Sequence, residues 1–127
     1  MDAEESDRLE LSLDIFERVL ADPALSGYDG LGLALQAYQK QAPAVIDWLA
    51  ELARTHGKRI PLRLVKGAYW DSEIKRAQLQ GLKAYPVYTR KAATDVSYLA
   101  CVSRILSKRA HFYPQFATHN AHTIAWV

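Results

Sequence analysis

The sequence predicts an α/β fold built on a parallel sheet. Short apolar runs suited to buried strands alternate with segments whose apolar residues recur at helical spacing. The first two of these runs lie about thirty residues apart, the length of one strand–helix–strand unit. Polar residues collect just beyond the ends of the runs, where folds of this class bind their ligands.

The first half of the chain predicts helix, strand, helix. The range 4–21 has one apolar helical face, made of Leu9, Leu13, Phe16 and Leu20. Pro23 follows it, and the apolar run 31–38 is then a candidate buried strand. The next helix begins at Ala42, because a proline at the following position is tolerated in a first turn. Gly57 is suited to cap its carboxyl end.

The second half predicts strand, helix, helix, strand and the start of another helix. The strands span 60–66 and 111–117, and the helices span 71–80 and 89–106. The final predicted helix extends to Val127, the last residue of the sequence. In the helix over 89–106, the positions predicted to face inward are Ala93, Val96, Ala100, Ser103 and Leu106 or their immediate neighbours.

The composition indicates one compact core. Half of the 127 residues are hydrophobic, which argues against disorder. Sixteen basic and fourteen acidic residues are interspersed, so no nucleic-acid contact is predicted for this segment. The basic pairs Arg90-Lys91 and Lys108-Arg109 are interpreted as solvated helix ends. Cys101, the single cysteine, is interpreted as a small buried hydrophobe, and no metal site is predicted.

The two ends of the chain suggest a piece of a larger domain. The acidic start lacks the layout of a signal peptide, and no apolar stretch approaches the length of a membrane span. The first helix follows the start at once, and the last one is cut short. We therefore expect residues 1–127 to be part of one domain, with no second domain visible.

Two architectures are compatible with this pattern. A (β/α)₈ barrel needs about 250 residues, whereas this chain has 127. A flavodoxin-like sheet suits the length better but requires five strands, and only three are clearly predicted. Periodicity alone leaves the choice open.

Five short motifs, spread over the whole chain, carry a family resemblance. In chain order they are Asp2-Ala3-Glu4-Glu5, Leu35-Gln36-Ala37-Tyr38, Arg63-Leu64-Val65-Lys66-Gly67-Ala68-Tyr69-Trp70-Asp71 with Glu73 and Lys75, Tyr88-Thr89-Arg90-Lys91, and Phe116-Ala117-Thr118-His119-Asn120. Together they resemble the proline dehydrogenase domain of the bifunctional bacterial proline utilization A family. The resemblance implies an incomplete TIM-like (β/α)₈ barrel, comprising its central to carboxyl-terminal strands and helices.

The resemblance also implies a chemistry. The family oxidises L-proline to Δ1-pyrroline-5-carboxylate with a non-covalent FAD, which passes electrons to a membrane quinone. An aldehyde dehydrogenase domain in the same parent chain then completes the conversion to glutamate. The implied location is cytoplasmic, with the parent enzyme peripherally associated with the inner membrane.

Candidate site residues follow from the motifs and from their chemistry. An arginine in an apolar strand is costly unless paired, so Arg63 is either a strand-end residue or a fixed cation, which the resemblance places near the flavin N5. By resemblance, Tyr69 and Asp2 join Arg63 as catalytic residues, although Asp2 also suits a helix N-cap. The residues expected to bind the cofactor are Gln36, Arg63, Val65, Lys66, Gly67, Ala68, Trp70, Thr89, Thr118, His119 and Asn120.

Residue chemistry supports several of these assignments. The amide of Gln36 can both donate to and accept from a flavin pyrimidine edge. Lys66, Gly67 and Ala68 lie between a strand and a helix, where backbone amides favour phosphate. His119 follows a strand and stands between two hydrogen-bonding side chains. Alternatives are a non-catalytic nucleotide- or partner-binding module of the same fold and a small α/β scaffold with an accidental likeness.

We expect this chain alone not to oxidise L-proline. A substrate carboxylate calls for bidentate arginine. The resemblance places that arginine pair in the last helix of the barrel and a carboxylate-binding lysine in its first strands, neither of which this chain carries. A steady-state assay with an artificial electron acceptor tests this, and turnover comparable to that of an intact homologue would contradict it.

Overall fold

The computed structural model, which describes residues 1–2 and 4–127, is built on a parallel three-stranded sheet. The strands are β1 (Leu33–Gln36), β2 (Ile60–Val65) and β3 (Phe112–Phe116), and β2 lies between the other two. The predicted α/β class and parallel pairing are confirmed. All three strands begin and end within two residues of the predicted ranges, and β1 is shorter than predicted by two residues at each end.

The helices follow the predicted order. They are α1 (Leu9–Leu20), α2 (Ala42–His56), α3 (Trp70–Leu79), α4 (Lys91–Ser107) and α5 (Ala121–Trp126), with short 3₁₀ turns at Ser6–Arg8 and Pro23–Leu25. Gly57 ends α2 in the left-handed conformation with φ 61°, as predicted for a C-terminal cap. None of the helices within the described residues is long and apolar enough to pass through a bilayer.

The alternation along β2 separates a packed face of the sheet from an open one. Ile60, Leu62 and Leu64 are fully buried and join the hydrophobic core with residues of α1, α2 and α4. Side chains alternate between faces along a strand, so the residues between them point to the other side of the sheet. Of those, Arg63 is exposed. The core therefore lies on one face only, and the other face is left for polar side chains.

The inward face of α4 is made by neighbours of the positions predicted to face inward, not by those positions themselves. Val96 is 69% exposed and Leu106 is 40% exposed, so neither faces the core. The buried positions are Thr94, Ser97, Tyr98, Cys101, Val102 and Ile105. Each residue advances a helix by about 100°, so a shift of one position turns a side chain away from the core. Cys101 is fully buried, which confirms its interpretation as a core residue.

The first two residues extend the sheet beyond β1. Asp2 pairs with Ala34 in a parallel bridge, and the Ala34 amide donates to the Met1 carbonyl at 2.9 Å. The predicted helix over 4–21 begins later, as the 3₁₀ turn at Ser6–Arg8, and Glu5 is the residue before that turn. The alternative interpretation of Asp2 as a helix N-cap is therefore wrong, because it lies at a strand position.

The loop after α3 is hydrogen-bonded to the segment after β1. The Lys40 amide donates to the Pro86 carbonyl at 3.0 Å, and the Tyr88 amide donates to the Tyr38 carbonyl at 2.8 Å. Gln39 and Val87 form an antiparallel bridge between these two bonds. The loops that follow β1 and α3 are thus joined through their backbones.

We predict that Tyr38→Phe flattens the alkaline loss of stability. Tyr38 is 2% exposed, and burial, followed by the charge of Glu73, raises the pKa of Tyr38 from 10.0 to about 12. Above pH 10 the unfolded chain ionises this phenol and the folded chain does not, so the free energy of unfolding falls as pH rises from 10 to about 12.

Urea titrations at pH 9, 10, 11 and 12 measure the effect. The slope with pH should be shallower in Tyr38→Phe than in the parent chain. Tyr28→Phe, at a side chain that is 54% exposed, is the matched control and should keep the parent slope. Equal slopes for all three proteins would contradict the prediction.

Candidate functional site

An open cleft of about 700 Å³ lies at the carboxyl ends of the strands, on the open face of the sheet. Its volume is in the range of small-molecule sites, roughly 300–1,000 Å³. Most of the predicted site residues line it, namely Asp2, Gln36, Arg63, Val65, Lys66, Gly67, Ala68, Tyr69, Thr118, His119 and Asn120. Residues distant in sequence are therefore brought to one cavity, as the strand-end argument predicts.

Strand register aligns one row of four residues, of which Asp2, Ala34 and Arg63 line the cleft. Asp2 pairs with Ala34, Ala34 with Arg63, and Arg63 with Gln115. Paired strands lie about 4.8 Å apart, so Asp2 and Arg63 are separated by roughly 10 Å across the small Ala34. Arg63 Nε donates to Gln115 Oε1 at 3.0 Å. The arginine thus has a fixed partner on β3, which lowers the cost of its place in an apolar strand.

Gln36 is the last residue of β1, two positions after Ala34. Its side chain is 4% exposed, and its Nε2 donates to the Glu4 carbonyl at 2.8 Å. This bond joins β1 to the segment that precedes α1. The amide is therefore held at the wall of the cleft by a long-range contact.

Lys66 links the end of β2 to α4 and α5. Its Nζ lies 2.6 Å from Asp95 Oδ1 and 3.4 Å from Thr123 Oγ1, and 5.7 Å from the centre of the Tyr98 ring. Asp95 also accepts from Lys91 at 2.7 Å. The hydrogen bonds from Lys66 and then from Lys91 hold the pKa of Asp95 below its ordinary value. One carboxylate therefore fixes two cations that line the cleft.

Gly67 brings the backbone close to the ring of Tyr38. Its φ is 128°, and a Cβ at this position would lie 2.5 Å from Tyr38 Cγ. Only glycine meets both conditions without strain. The missing side chain makes room for the Tyr38 ring, and Gly67 itself lines the cleft between Lys66 and Ala68.

In the segment after β3, side-chain oxygens accept hydrogen bonds from nearby backbone amides. Thr118 Oγ1 accepts from the Asn120 amide at 3.1 Å. Asn120 Oδ1 accepts from the Thr123 amide at 3.0 Å and so caps α5. Asn120 therefore has a structural role in addition to the predicted cofactor contact. His119, between them, is exposed at the rim of the cleft.

Tyr69 and Glu4 face each other at the acidic side of the cleft. Both line it. The Glu4 carboxylate accepts a hydrogen bond from the Tyr69 hydroxyl and adds its negative charge, and these two effects raise the pKa of Tyr69. The phenol therefore remains protonated over a wider pH range than an isolated tyrosine.

Two predicted residues do not line the cleft. Trp70 is 41% exposed, and its Nε1 donates to the Tyr88 carbonyl at 2.9 Å. Thr89 follows Tyr88 and is exposed at the start of α4. Trp70 and Thr89 therefore both lie outside the lining of the cavity that holds the other candidates.

Sequence reasoning missed several residues of the cleft wall. They are Glu4, Ala34, Lys91 and Ala117. Ala34 could have been found, because it lies two positions before Gln36 and therefore on the same face of β1. Lys91 is a solvated helix end, as predicted, since it opens α4 with a side chain that is 78% exposed, and it also lines the cleft. Within the described ranges, no cluster of three His, Cys, Asp or Glu side chains is suited to a metal ion.

Comparisons with known proteins agree on one family. The family model described as proline dehydrogenase matches residues 1–127. The chain is 62% identical over 127 residues to the bifunctional protein PutA of Escherichia coli, and 61% identical to that of Salmonella typhimurium. It is also 34% identical over 93 residues to hydroxyproline dehydrogenase of Bos taurus.

Solved structures give the same result. A crystal structure of a variant of Bradyrhizobium japonicum proline utilization A superposes with a TM-score of 0.96 at 63% identity, over 98% of this chain and 13% of that one. Proline utilization A from Bdellovibrio bacteriovorus, inactivated by N-propargylglycine, gives 0.94 at 35% identity. The chain spans about a tenth of the length of the PutA sequences it matches, 10% in the Escherichia coli protein.

We predict that Gly67→Ala destabilises the fold more than Gly57→Ala. Both glycines have positive φ, 128° and 61°, but a Cβ at Gly57 meets nothing within 4 Å. The control change should cost about 1 kcal/mol from backbone strain alone. Gly67→Ala adds the collision with Tyr38, for a total of about 3 kcal/mol. Urea denaturation at pH 7 measures both, and equal losses would contradict the proposed close packing.

Proposed function

Because the chain belongs to the proline dehydrogenase family, we propose that it forms part of the flavin-binding wall of a barrel enzyme that oxidises L-proline. Residues 1–127 would supply three adjacent strands of that barrel and the helices packed on their outer face. The observation that carries the proposal is the meeting of Gln36, Arg63, Lys66 and His119 around one cleft.

The chemistry of the cleft fits FAD. Of the polar groups described above, Arg63 supplies a cation whose Nε is bound to Gln115, and the Gln36 amide lies at the wall. The small residues Gly67 and Ala68 line the cleft and offer backbone amides as candidate donors, and Lys66 adds a positive charge beside them. A flavin needs a cation near the ring, an amide for its pyrimidine edge and donors for its phosphates. This chain offers one candidate for each.

Each residue has a proposed task. Gln36 would hydrogen-bond the pyrimidine edge, and Val65 would pack against the cofactor. Lys66, Gly67, Ala68, Thr118, His119 and Asn120 would hold the ribityl and phosphate portion, with Trp70 and Thr89 at its outer end. Arg63 would stabilise the negative charge that the ring gains on reduction. Asp2 and Tyr69 would form the acidic side of the substrate pocket, opposite Arg63.

The overall reaction defines the partners. A bound flavin would accept the hydride equivalent that L-proline loses, together with a proton, as it becomes Δ1-pyrroline-5-carboxylate. A membrane quinone would then take the electrons, and an aldehyde dehydrogenase domain of the parent chain would oxidise the product further. We accordingly propose a cytoplasmic parent enzyme that associates peripherally with the inner membrane.

We predict that Arg63→Met, in the complete enzyme that carries this segment, lowers kcat/KM for L-proline by about 100-fold or more. Methionine retains the length of the side chain without the charge. The midpoint potential of the bound flavin should also become more negative, because a cation near the ring stabilises its electron-rich state. Steady-state kinetics and a spectroelectrochemical titration measure the two effects.

The control is Arg109→Met, which removes an exposed arginine after α4, outside the lining of the cleft. It should leave both quantities unchanged. A visible-absorbance scan of the purified proteins establishes whether flavin is present at all. A protein that never retains flavin would favour the alternative of a non-catalytic module. Unchanged kinetics and potential in Arg63→Met would refute the proposed role of the arginine.

A further inference from the structure

Glu73 is a buried carboxylate in the first turns of α3. It is 2% exposed, whereas Asp71 in the same helix is exposed. Its Oε1 accepts from the Ser6 amide at 2.9 Å, and its Oε2 accepts from the Ser6 hydroxyl. An acidic residue early in a helix is common because the helix dipole favours it. Such a residue usually stays in water, so the burial of Glu73 needs another cause.

The contact fastens the segment before α1 to α3. Ser6 and Glu73 are 67 residues apart in sequence. Asp7, the next residue, accepts a hydrogen bond at 2.9 Å from Nη1 of Arg76, which also belongs to α3. We call the Ser6–Glu73 pair the clasp. Burial of a carboxylate is costly unless it is hydrogen-bonded, and Ser6 provides two donors from a single residue.

Glu4, two residues before Ser6, contacts residues of the cleft through both its backbone and its side chain. Its carbonyl accepts from Gln36 Nε2 at 2.8 Å, and it lines the cleft together with Tyr69. The pKa of Tyr69 is raised chiefly by its hydrogen bond to the Glu4 side chain. Gln36 and Tyr69 therefore share one partner, and the place of that partner depends on how residues 4–7 are held.

We propose that Glu73 is a positioning residue, which through Ser6 seats Glu4 between Gln36 and Tyr69 and so sets the acidic wall of the cleft. Glu73 contacts neither the cleft nor a ligand within it. Hydrogen bonds with defined directions fix both the distance and the orientation of residue 6, which apolar packing alone does not do. The consequence for flavin and substrate rests on the proposed function, whereas the clasp itself does not.

The test compares Glu73→Gln and Ser6→Ala in the complete protein, with and without added FAD. A glutamine keeps one acceptor and loses the other, and the alanine removes only the hydroxyl. Without FAD, amide hydrogen exchange across residues 4–8 should quicken by about tenfold or more, since a hydrogen bond to a charged group is lost. The double variant, Glu73→Gln with Ser6→Ala, should exchange little faster across residues 4–8 than Glu73→Gln alone, because both changes break the same contact.

A second readout reports on the wall itself. Tyrosine ring carbons labelled with ¹³C, assigned with Tyr69→Phe, give the pKa of Tyr69 directly. In Glu73→Gln this pKa should fall toward its ordinary value as Glu4 moves away, and Glu4→Gln defines the limit of the fall. A general loss of stability would not shift this one tyrosine while the protein remains folded.

Two control variants separate loss of the clasp from a general effect of substitution. Glu51→Gln makes the same isosteric change at an exposed carboxylate on α2, paired with Arg54, and should change neither readout. Ser6→Thr, which retains the hydroxyl, should restore the slow exchange. If Glu73→Gln does not fold, Ser6→Ala and Ser6→Thr decide alone. Unchanged exchange across residues 4–8, or an equal effect of Glu51→Gln, would overturn the proposal.

The two proposals fail separately. Faster exchange and a lowered Tyr69 pKa in a protein that never binds FAD would support the clasp and refute the proposed function. Normal flavin binding, with unaltered exchange and an unaltered Tyr69 pKa in Glu73→Gln, would support the proposed function and refute the clasp. With flavin bound, Glu73→Gln should weaken FAD affinity and shift the visible spectrum of the flavin, because Gln36 loses its partner on Glu4.

Discussion

The parallel register of β1, β2 and β3 is the constraint on which the site depends. It places Ala34, Arg63 and Gln115 in one row, and the same register continues to Asp2 at the edge. A shift of β2 by one residue would turn Arg63 into the hydrophobic core and a leucine into the cleft. Core and site are thus two faces of one pairing pattern, and neither can change its register alone.

Polar contacts join the segments around the cleft to neighbouring elements. Lys66, which lines the cleft, ties the end of β2 to α4 through Asp95, and outside the cleft the Trp70 indole ties the start of α3 to Tyr88. The Glu73 carboxylate ties the segment before α1 to α3. These bonds join residues far apart in sequence, so they do not stabilise isolated segments. They fix the loops at the strand ends once the sheet and helices have packed, and so preorganise the side chains of the cleft.

The strands, their parallel order and most of the cleft followed from the sequence, because these depend on local periodicity and on the common edge of a parallel sheet. The inward positions of α4 were less well determined, because buried polar residues disguise that face. Ser97 is inside because its hydroxyl donates to the Ala37 carbonyl at 2.7 Å. A hydroxyl looks like a surface group until its partner is known.

Other features lay beyond any local pattern. No spacing in the sequence links Ser6 to Glu73, or Lys91 to the rim of the cleft. The strand-like position of Asp2 required the pairing with Ala34, since the short sequence around it equally suits a helix start. The family resemblance, carried by motifs such as the one from Arg63 to Asp71, indicated candidate site residues without revealing these connections. Long-range hydrogen bonds were therefore the part of the site that only coordinates could supply.

The backbone bonds between residues 38–40 and 86–88 have a mechanical consequence. Two loops that leave different elements are joined there by two backbone hydrogen bonds around one antiparallel bridge, which we call the ladder. Displacement of one loop must drag the other, and Gly67, packed on the Tyr38 ring, would feel the motion. We therefore expect an insertion at 81–84, ahead of the ladder, to disturb the fold less than an added residue at 86–88, which would shift both loops together.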